Sequence, residues 1–209
     1  MTDSLIIQGS PEWLAARAGL ATASEFATIL TKGRTKDAPS VVRQKYAMRL
    51  ALERLTGVVD DPVDFPQTLH GKEQERFAIM AYEIHTGNMI ERVGFVRHDT
   101  LMAGCSPDGR VDKNGGTEVK CPANREVHAL TLLHGMPKEH IPQVQGNMWI
   151  DKRDWWDFIS YCPSMPDGMK LYIQRIERDD KYIATLEKEV TIFCNEVSAV
   201  VLKLKERAA

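Results

Sequence analysis

The sequence has few of the features that bring easy assignments. Its four cysteines, Cys105, Cys121, Cys162 and Cys194, are scattered without a Cys-x-x-Cys pair, which fits neither a disulfide framework nor a zinc ribbon and suits a reducing cytosol. Six histidines show no His-x-x-x-His or Cys-His grouping, so a zinc site is not expected. No apolar run approaches the roughly 20 residues of a membrane span, and Met1-Thr-Asp-Ser lacks the charged-then-apolar pattern of a secretory signal. The expectation is a soluble, cytoplasmic protein with no membrane partner. The net charge of −2 gives no general coat of positive charge for holding a polyanion, so any such contact must be local. One stretch offers it: Lys32, Arg34, Lys36, Arg43, Lys45 and Arg49 stand against Asp37 alone, unless the run is simply a solvated face. There is no internal repeat or low-complexity segment. A chain of 209 residues suits one domain, long enough to bury about 70% of its unfolded surface.

What is present centres on residues 102–122. Two short strands, 102–112 and 117–121, are expected around Lys113-Asn114-Gly115-Gly116, whose chemistry suits the positive φ angles of a tight hairpin. Asp108 falls on the first strand. On the second, Glu118 and Lys120 are two apart and share a face, while Val119 points the other way. Folding the hairpin back can bring Asp108 beside Glu118. Crowded carboxylates repel unless a cation bridges them, and hard oxygen donors without nearby His or Cys favour magnesium or manganese. The bland alternative is a surface hairpin with solvated charges. The Ser-Pro-Asp-Gly context, apolar Val111 and Val119, and the Cys121-Pro122 stop favour the functional reading.

Elsewhere, residues 11–17 read as a short helix ended by Gly19, anchored by Trp13 and Leu14 and finishing on Arg17. Thr22-Ala-Ser-Glu25 has the capping-box form and opens a helix through Phe26, Ile29 and Leu30. If more than a cap, its first-turn amides, Ser24 and Arg17 would make a phosphate site. A polar loop over 32–40 precedes a helix over 41–56 that turns Tyr46, Leu50 and Leu55 inward, and a Pro-containing loop over 60–66 leads to a helix ending near His85. There Phe77, Met80 and Ile84 share a stripe with Glu73, and Ile79 and Tyr82 share one with Glu75. That helix is expected to be buried on both sides, and periodicity does not choose between its carboxylates. Residues 90–98 are β-like and should pair with the hairpin. A helix over 124–134 and another opened by Pro142 follow. On the latter, Gln145 lies with Ile141, Met148 and Trp149, either as a satisfied core amide or as a site group, while Gln143 points oppositely. Strands over 155–162 and 170–176 extend the sheet, and a long amphipathic helix from Lys181 should cover one sheet face.

Pro107-Asp108 followed by Glu118-Val119-Lys120 resembles the PD-(D/E)xK motif of metal-dependent nucleases. More narrowly, Ala103 to Gly109 with Glu118 to Pro122 resembles the phage lambda exonuclease, or YqaJ-like viral recombinase, family. Gly19 to Glu25, Gly71 to Glu75, Gln143 to Gln145 and Ile176 to Tyr182 match it in the same order, so the resemblance covers nearly the whole chain. It implies an α/β fold with a restriction-endonuclease-like core, a central mixed twisted sheet flanked by helices, as one nuclease domain over 1–209. The implied activity is 5′→3′ exonuclease digestion of linear duplex DNA to 5′-mononucleotides, leaving a 3′ single-stranded tail for annealing-based recombination. The resemblance further implies that Asp108, Glu118 and the Val119 carbonyl hold Mg2+, two ions per site, with Mn2+ able to substitute. Lys120 would orient the attacking water or neutralise the phosphate, Glu75 would place a water or complete the acidic site, and Gln145 would join them. Arg17, Ser24 and Ser106 would hold the 5′-phosphate, and Arg34 would contact the duplex. The implied partners are double-stranded DNA ends, further copies of the chain in a homotrimeric ring, and a single-strand annealing protein, in a bacterial host carrying a phage or prophage gene. Two rivals remain at this stage: a site-specific endonuclease on the same core, and a non-catalytic DNA-end-binding protein.

Overall fold

The computed structural model describes residues 7–35, 38–59 and 66–208. The opening Met1-Thr-Asp-Ser, Lys36 and Asp37 of the basic run, and the loop at 60–65 with Pro62 lie outside the described residues.

Local chemistry sets the first elements. Ser10 caps α1 (Pro11–Arg17) by accepting from the Trp13 amide at 3.2 Å, and proline at the first turn lacks only an N–H that would have no helical partner. After β1 (Ala21–Thr22) comes a single 3-10 turn, Ala23–Glu25, and then α2 (Phe26–Leu30). The expected capping box does not form. The Thr22 hydroxyl is engaged by Arg17 and Ser24, its amide donates to the Tyr46 hydroxyl (3.0 Å), and Glu25 is drawn aside to Arg49 at 3.1 Å. Ser40 caps α3 (Val41–Thr56), and Gly57 ends it in the left-handed region at φ 68°. Tyr46 and Leu50 are buried as expected, but Leu55 lies on the solvent side.

In α4 (Pro66–Thr86), Ala78, Ile79 and Tyr82 are buried, whereas Phe77, Met80 and Ile84 are exposed. The helix is therefore covered on one side only, and Glu75, not Glu73, belongs to the covered stripe. Next come β2 (Ile90–Glu91), β3 (Val96–Arg97), β4 (Ala103–Cys105), β5 (Gly109–Val111) and β6 (Gly115–Lys120). The chain then forms α5 (Arg125–His134), α6 (Ile141–Asp151), β7 (Trp155–Tyr161), β8 (Leu171–Glu177) and α7 (Asp180–Ala208).

The strands form two sheets, β1-β4-β3 and β2-β5-β6-β7-β8. The larger sheet is mixed: β6 and β7 are parallel and the other pairs antiparallel. A parallel pair needs a crossover, which α5 and α6 supply. The expected hairpin thus differs in two respects. Its first strand breaks at 106–108, where Pro107 has no amide to donate, so β4 and β5 fall in different sheets and Asp108 sits in a bend instead of on a strand. The β-like stretch 90–98 divides between the same two sheets. The turn itself is Asp112 to Asn114, with the positive φ (49°) at Asp112, and Gly115 and Gly116 open β6. A Cβ on Gly115 would lie 2.1 Å from the Trp155 ring, and one on Gly116 2.3 Å from the Trp156 ring. Close approach of two indoles, not turn geometry, requires these glycines.

One face of the large sheet packs on α4 through Tyr82, Val111 and Ile159; the other packs on α6 through Val144, Met148 and Trp156. Each fully buried side chain of this size contributes roughly 1.5–3 kcal/mol, which fixes both helices independently of any polar contact. Contrary to expectation, α7 does not cover this sheet. Its stripe of Leu186, Val190, Phe193 and Val197 packs with α2, α3 and α6 into a separate, mainly helical core.

Candidate active site

The motif residues meet where β6 ends and β5 begins. The period of two turns Glu118 and Lys120 toward α6, and the Lys120 Nζ lies 2.6 Å from Glu118 Oε1. Glu118 is 2% exposed, and its other oxygen accepts from Asn147 Nδ2 at 3.1 Å. Asp108 reaches across from its bend and accepts the Val119 amide at 2.6 Å. The structure therefore brings Asp108, Glu118, Val119 and Lys120 together. Glu75, half-buried on α4, approaches from the other side of the sheet, close enough to feel the charges of Glu118 and Lys120.

The cluster carries more negative charge than it can match. Burial, and then the neighbouring Glu118, hold the Asp108 carboxyl well above the usual aspartate range, with Lys120 opposing. Burial likewise raises Glu75, opposed by Arg92 and reinforced by Glu118. For Lys120, burial pulls the ammonium down, but Glu118 and Asp108 outweigh it and the group stays firmly charged. The thiol of adjacent Cys121 is pushed up to about 12 by burial, Glu75 and Asp108, so it stays protonated beside the carboxylates at neutral pH. Among the described residues no three His, Cys, Asp or Glu side chains gather into a cage of their own. Asp108 and Glu118 are two hard oxygen donors of the kind that suit magnesium, which keeps several waters and takes one or two carboxylates from a protein.

Gln145 lies outside the cluster. Its amide donates to the Glu177 carbonyl (2.9 Å) and accepts from the Asp179 amide (2.9 Å), making it a satisfied core group that ties α6 to the junction of β8 and α7. Because residues 144–151 are all buried, an apolar face of α6 did not single out the site. The opposite face did: Gln143 Oε1 is 3.4 Å from Lys120 Nζ, and Asn147 holds Glu118. Their i, i+4 spacing was the available signal. His140, three residues before Gln143, stacks on Phe158 at 5.4 Å. Burial and then the charge of Lys120 lower it to about 4, so its imidazole is neutral at working pH.

The three phosphate candidates are linked to one another. Arg17 lies over the Trp13 ring at 4.0 Å and donates to Thr22 Oγ1 (3.4 Å), which is 3.2 Å from Ser24 Oγ. Trp13 Nε1 donates to Ser106 Oγ at 3.0 Å, two residues from Asp108. Trp13 and Thr22 are members that sequence reading missed as site residues. Since α2 spans five residues and lacks the capping box, the groups gathered here are hydroxyls and a guanidinium, not the amides of a regular helix start. Of the basic run, Arg43 is structural: it is buried and bonds Glu189, Glu196 and the Ile29 carbonyl. Arg49 pairs with Glu25, while Lys32, Arg34 and Lys45 face solvent. Among the described residues, no helix is long and apolar enough to cross a membrane.

Residues 12–154 match the family model of the YqaJ-like viral recombinase domain. The chain superposes on the alkaline exonuclease LHK-Exo from Laribacter hongkongensis with a TM-score of 0.87 and 40% identity, over 95% of this chain and 98% of that one. Against LHK-Exo in complex with dAMP the TM-score is 0.88, with the same identity and coverage. A phage related exonuclease from Haemophilus somnus 129PT, 14% identical over 88% of this chain and 96% of that one, shares the fold at a TM-score of 0.70. The chain belongs to the YqaJ-like viral recombinase family of lambda-exonuclease-like DNA exonucleases and has their restriction-endonuclease-like fold.

Proposed function

We propose that the protein is a magnesium-dependent exonuclease that digests one strand of linear duplex DNA in the 5′→3′ direction, releasing 5′-mononucleotides and leaving a 3′ tail for single-strand annealing. The observation that carries this reading is adjacency: Ser106 of the Arg17–Trp13–Ser106 chain is two residues from Asp108 of the carboxylate cluster. The group proposed to take a terminal phosphate is thus linked to the group proposed to cut.

Asp108, Glu118 and the Val119 carbonyl would hold the cation, as two ions per site, with manganese able to substitute. When bound, it lowers the pKa of a water and stabilises charge on the in-line phosphorane. Lys120, held by Glu118, places an ammonium where that negative charge develops. Glu75, its carboxyl raised by burial, can hold or accept a proton on the water side. Attack of the water oxygen on phosphorus breaks the bond to the O3′ of the terminal nucleotide, which leaves as a 5′-mononucleotide with a 3′-hydroxyl. The strand left behind begins with a new 5′-phosphate, the group that Arg17, Ser24 and Ser106 are arranged to take, so each cut regenerates the substrate. The dAMP held by LHK-Exo is a deoxynucleoside monophosphate of the class this reaction releases. Arg34, exposed before α3, would steady the duplex. Family membership supports the further reading of a homotrimeric ring, an annealing partner and work in the cytoplasm of a bacterial host.

The test uses a linear duplex labelled at either end, in magnesium. A 5′ label should leave first as mononucleotide, a 3′ label should persist in long single strands, and covalently closed DNA should stay intact. Cutting of closed circles would make the protein an endonuclease instead, and undiminished release in a chelator would remove the metal from the mechanism.

A further inference from the structure

Glu118 is gripped from both sides: Lys120 meets one carboxylate oxygen at 2.6 Å and Asn147 meets the other at 3.1 Å. Asn147 is 1% exposed, on a helix whose neighbouring positions are filled by Val144, Met148 and Ile150. A buried amide among such neighbours adds no packing that an apolar residue could not match. What it adds is a donor aimed at a buried carboxylate. The last torsion of a glutamate is broad and roughly two-fold, so an amide fixed on a packed helix is what selects one carboxylate plane. Gln143, one turn earlier on the same stripe, accepts from the Lys120 ammonium at 3.4 Å.

We propose that Asn147 is a positioning residue that fixes the plane of the Glu118 carboxylate, so that its oxygen on the Lys120 side is offered to the divalent cation. This role rests on the metal reading above. Groups that orient ligands in this way typically change metal affinity by about 10- to 100-fold when removed.

The experiment is manganese binding without DNA, followed by calorimetry and by the spin resonance of free Mn2+, for wild type, Glu118→Gln, Asn147→Ala and Asn147→Leu. The alanine leaves room for a water and the leucine keeps the side-chain volume, so a folding failure in one leaves the other to decide. Both should melt cooperatively and bind Mn2+ about 10- to 100-fold more weakly than wild type. Their kcat should recover toward wild type at high manganese, with KM for DNA unchanged, which a purely structural role would not produce. Equal binding by wild type and Glu118→Gln would remove the metal reading and this role with it. Loss in Glu118→Gln alone, with wild-type affinity in both Asn147 variants, would overturn the positioning role and leave the metal site standing.

Discussion

Two buried acidic clusters occupy adjacent strands of the same sheet, and they are built on opposite terms. On β7, Asp157 is 3% exposed and fully matched: Arg175, its cross-strand partner, donates twice at 2.9 Å, and the Tyr82 hydroxyl donates at 2.7 Å. Arg175 rests on the Trp155 ring at 3.5 Å. Burial raises Tyr82 to about 12, so it stays a donor at any working pH. Around β6, by contrast, three carboxylates crowd together: Lys120 pairs with Glu118 at 2.6 Å, Arg92 acts on Glu75 from a distance, and Asp108 has only the Val119 amide as its hydrogen-bond donor. Asp151, the third such aspartate, again is matched, by Arg110 and Arg153. A buried carboxylate whose charge and lone pairs are met holds elements together. One left with unmatched charge is costly for the fold and is a marker of chemistry.

Substitution can separate the two roles, and the largest effect is expected in the unmatched cluster. Glu118→Gln should abolish hydrolysis, and Lys120→Ala should slow it on the order of a hundredfold or more, with DNA binding largely kept; a loss confined to affinity would deny Lys120 its part in the transition state. Next is the proposed phosphate-binding group of Arg17, Ser24 and Ser106. Linear duplex with a 5′-phosphate should begin degrading much faster than the same duplex with a 5′-hydroxyl, because a terminal phosphate carries the extra charge that a guanidinium fork prefers. Arg17→Ala should erase most of that difference in initial rates, and a variant that still discriminates fully would leave Arg17 a structural group. Asp157→Asn should reverse the pattern, lowering stability by about 2 kcal/mol in a denaturant titration while leaving the rate per folded molecule unchanged. A catalytic defect there would collapse the distinction between the clusters. The smallest change is expected at Arg34→Ala: shorter uninterrupted digestion of long duplexes, most visible at raised salt. Equal digestion lengths would return the loop to plain solvated surface.

The helices were legible because their marks are local. Ser40 and Gly57 bound α3, Asn124 caps α5 and Pro142 opens α6, each through a bond or a φ angle set within one turn. The Glu118–Lys120 pair was legible for the same reason, since a period of two needs only one strand. What escaped depends on partners distant in sequence. The break at Pro107 distributes one apparent hairpin over two sheets, and Gly115 and Gly116 answer to tryptophans some 40 residues on. The choice between Glu73 and Glu75 required knowing that α4 has a neighbour on one side only. Gln145 and Asn147 illustrate the limit best: both are buried amides two residues apart, and only the surrounding sheet decides that one bonds Glu177 and Asp179 while the other bonds Glu118.

The measurement that bears most directly on unmatched charge as the basis of the site is the stability of Asp108→Asn against pH in a chelator. Burial and Glu118 raise the folded-state pKa of Asp108 above its unfolded value, so the native protein holds the proton more tightly than the unfolded chain. The Asp108 contribution to wild-type stability should then fall as pH rises through the unfolded value of about 3.9 and onward to the folded one, and level off above it. Asparagine carries no such charge. Asp108→Asn should match or exceed wild type once the pH passes the ordinary aspartate range, with the gap widening until the folded pKa is passed, while wild type alone gains stability when magnesium is added. A variant less stable than wild type throughout that range without metal, as Asp157→Asn is expected to be, would contradict the account, because Asp108 would then be one more matched structural carboxylate.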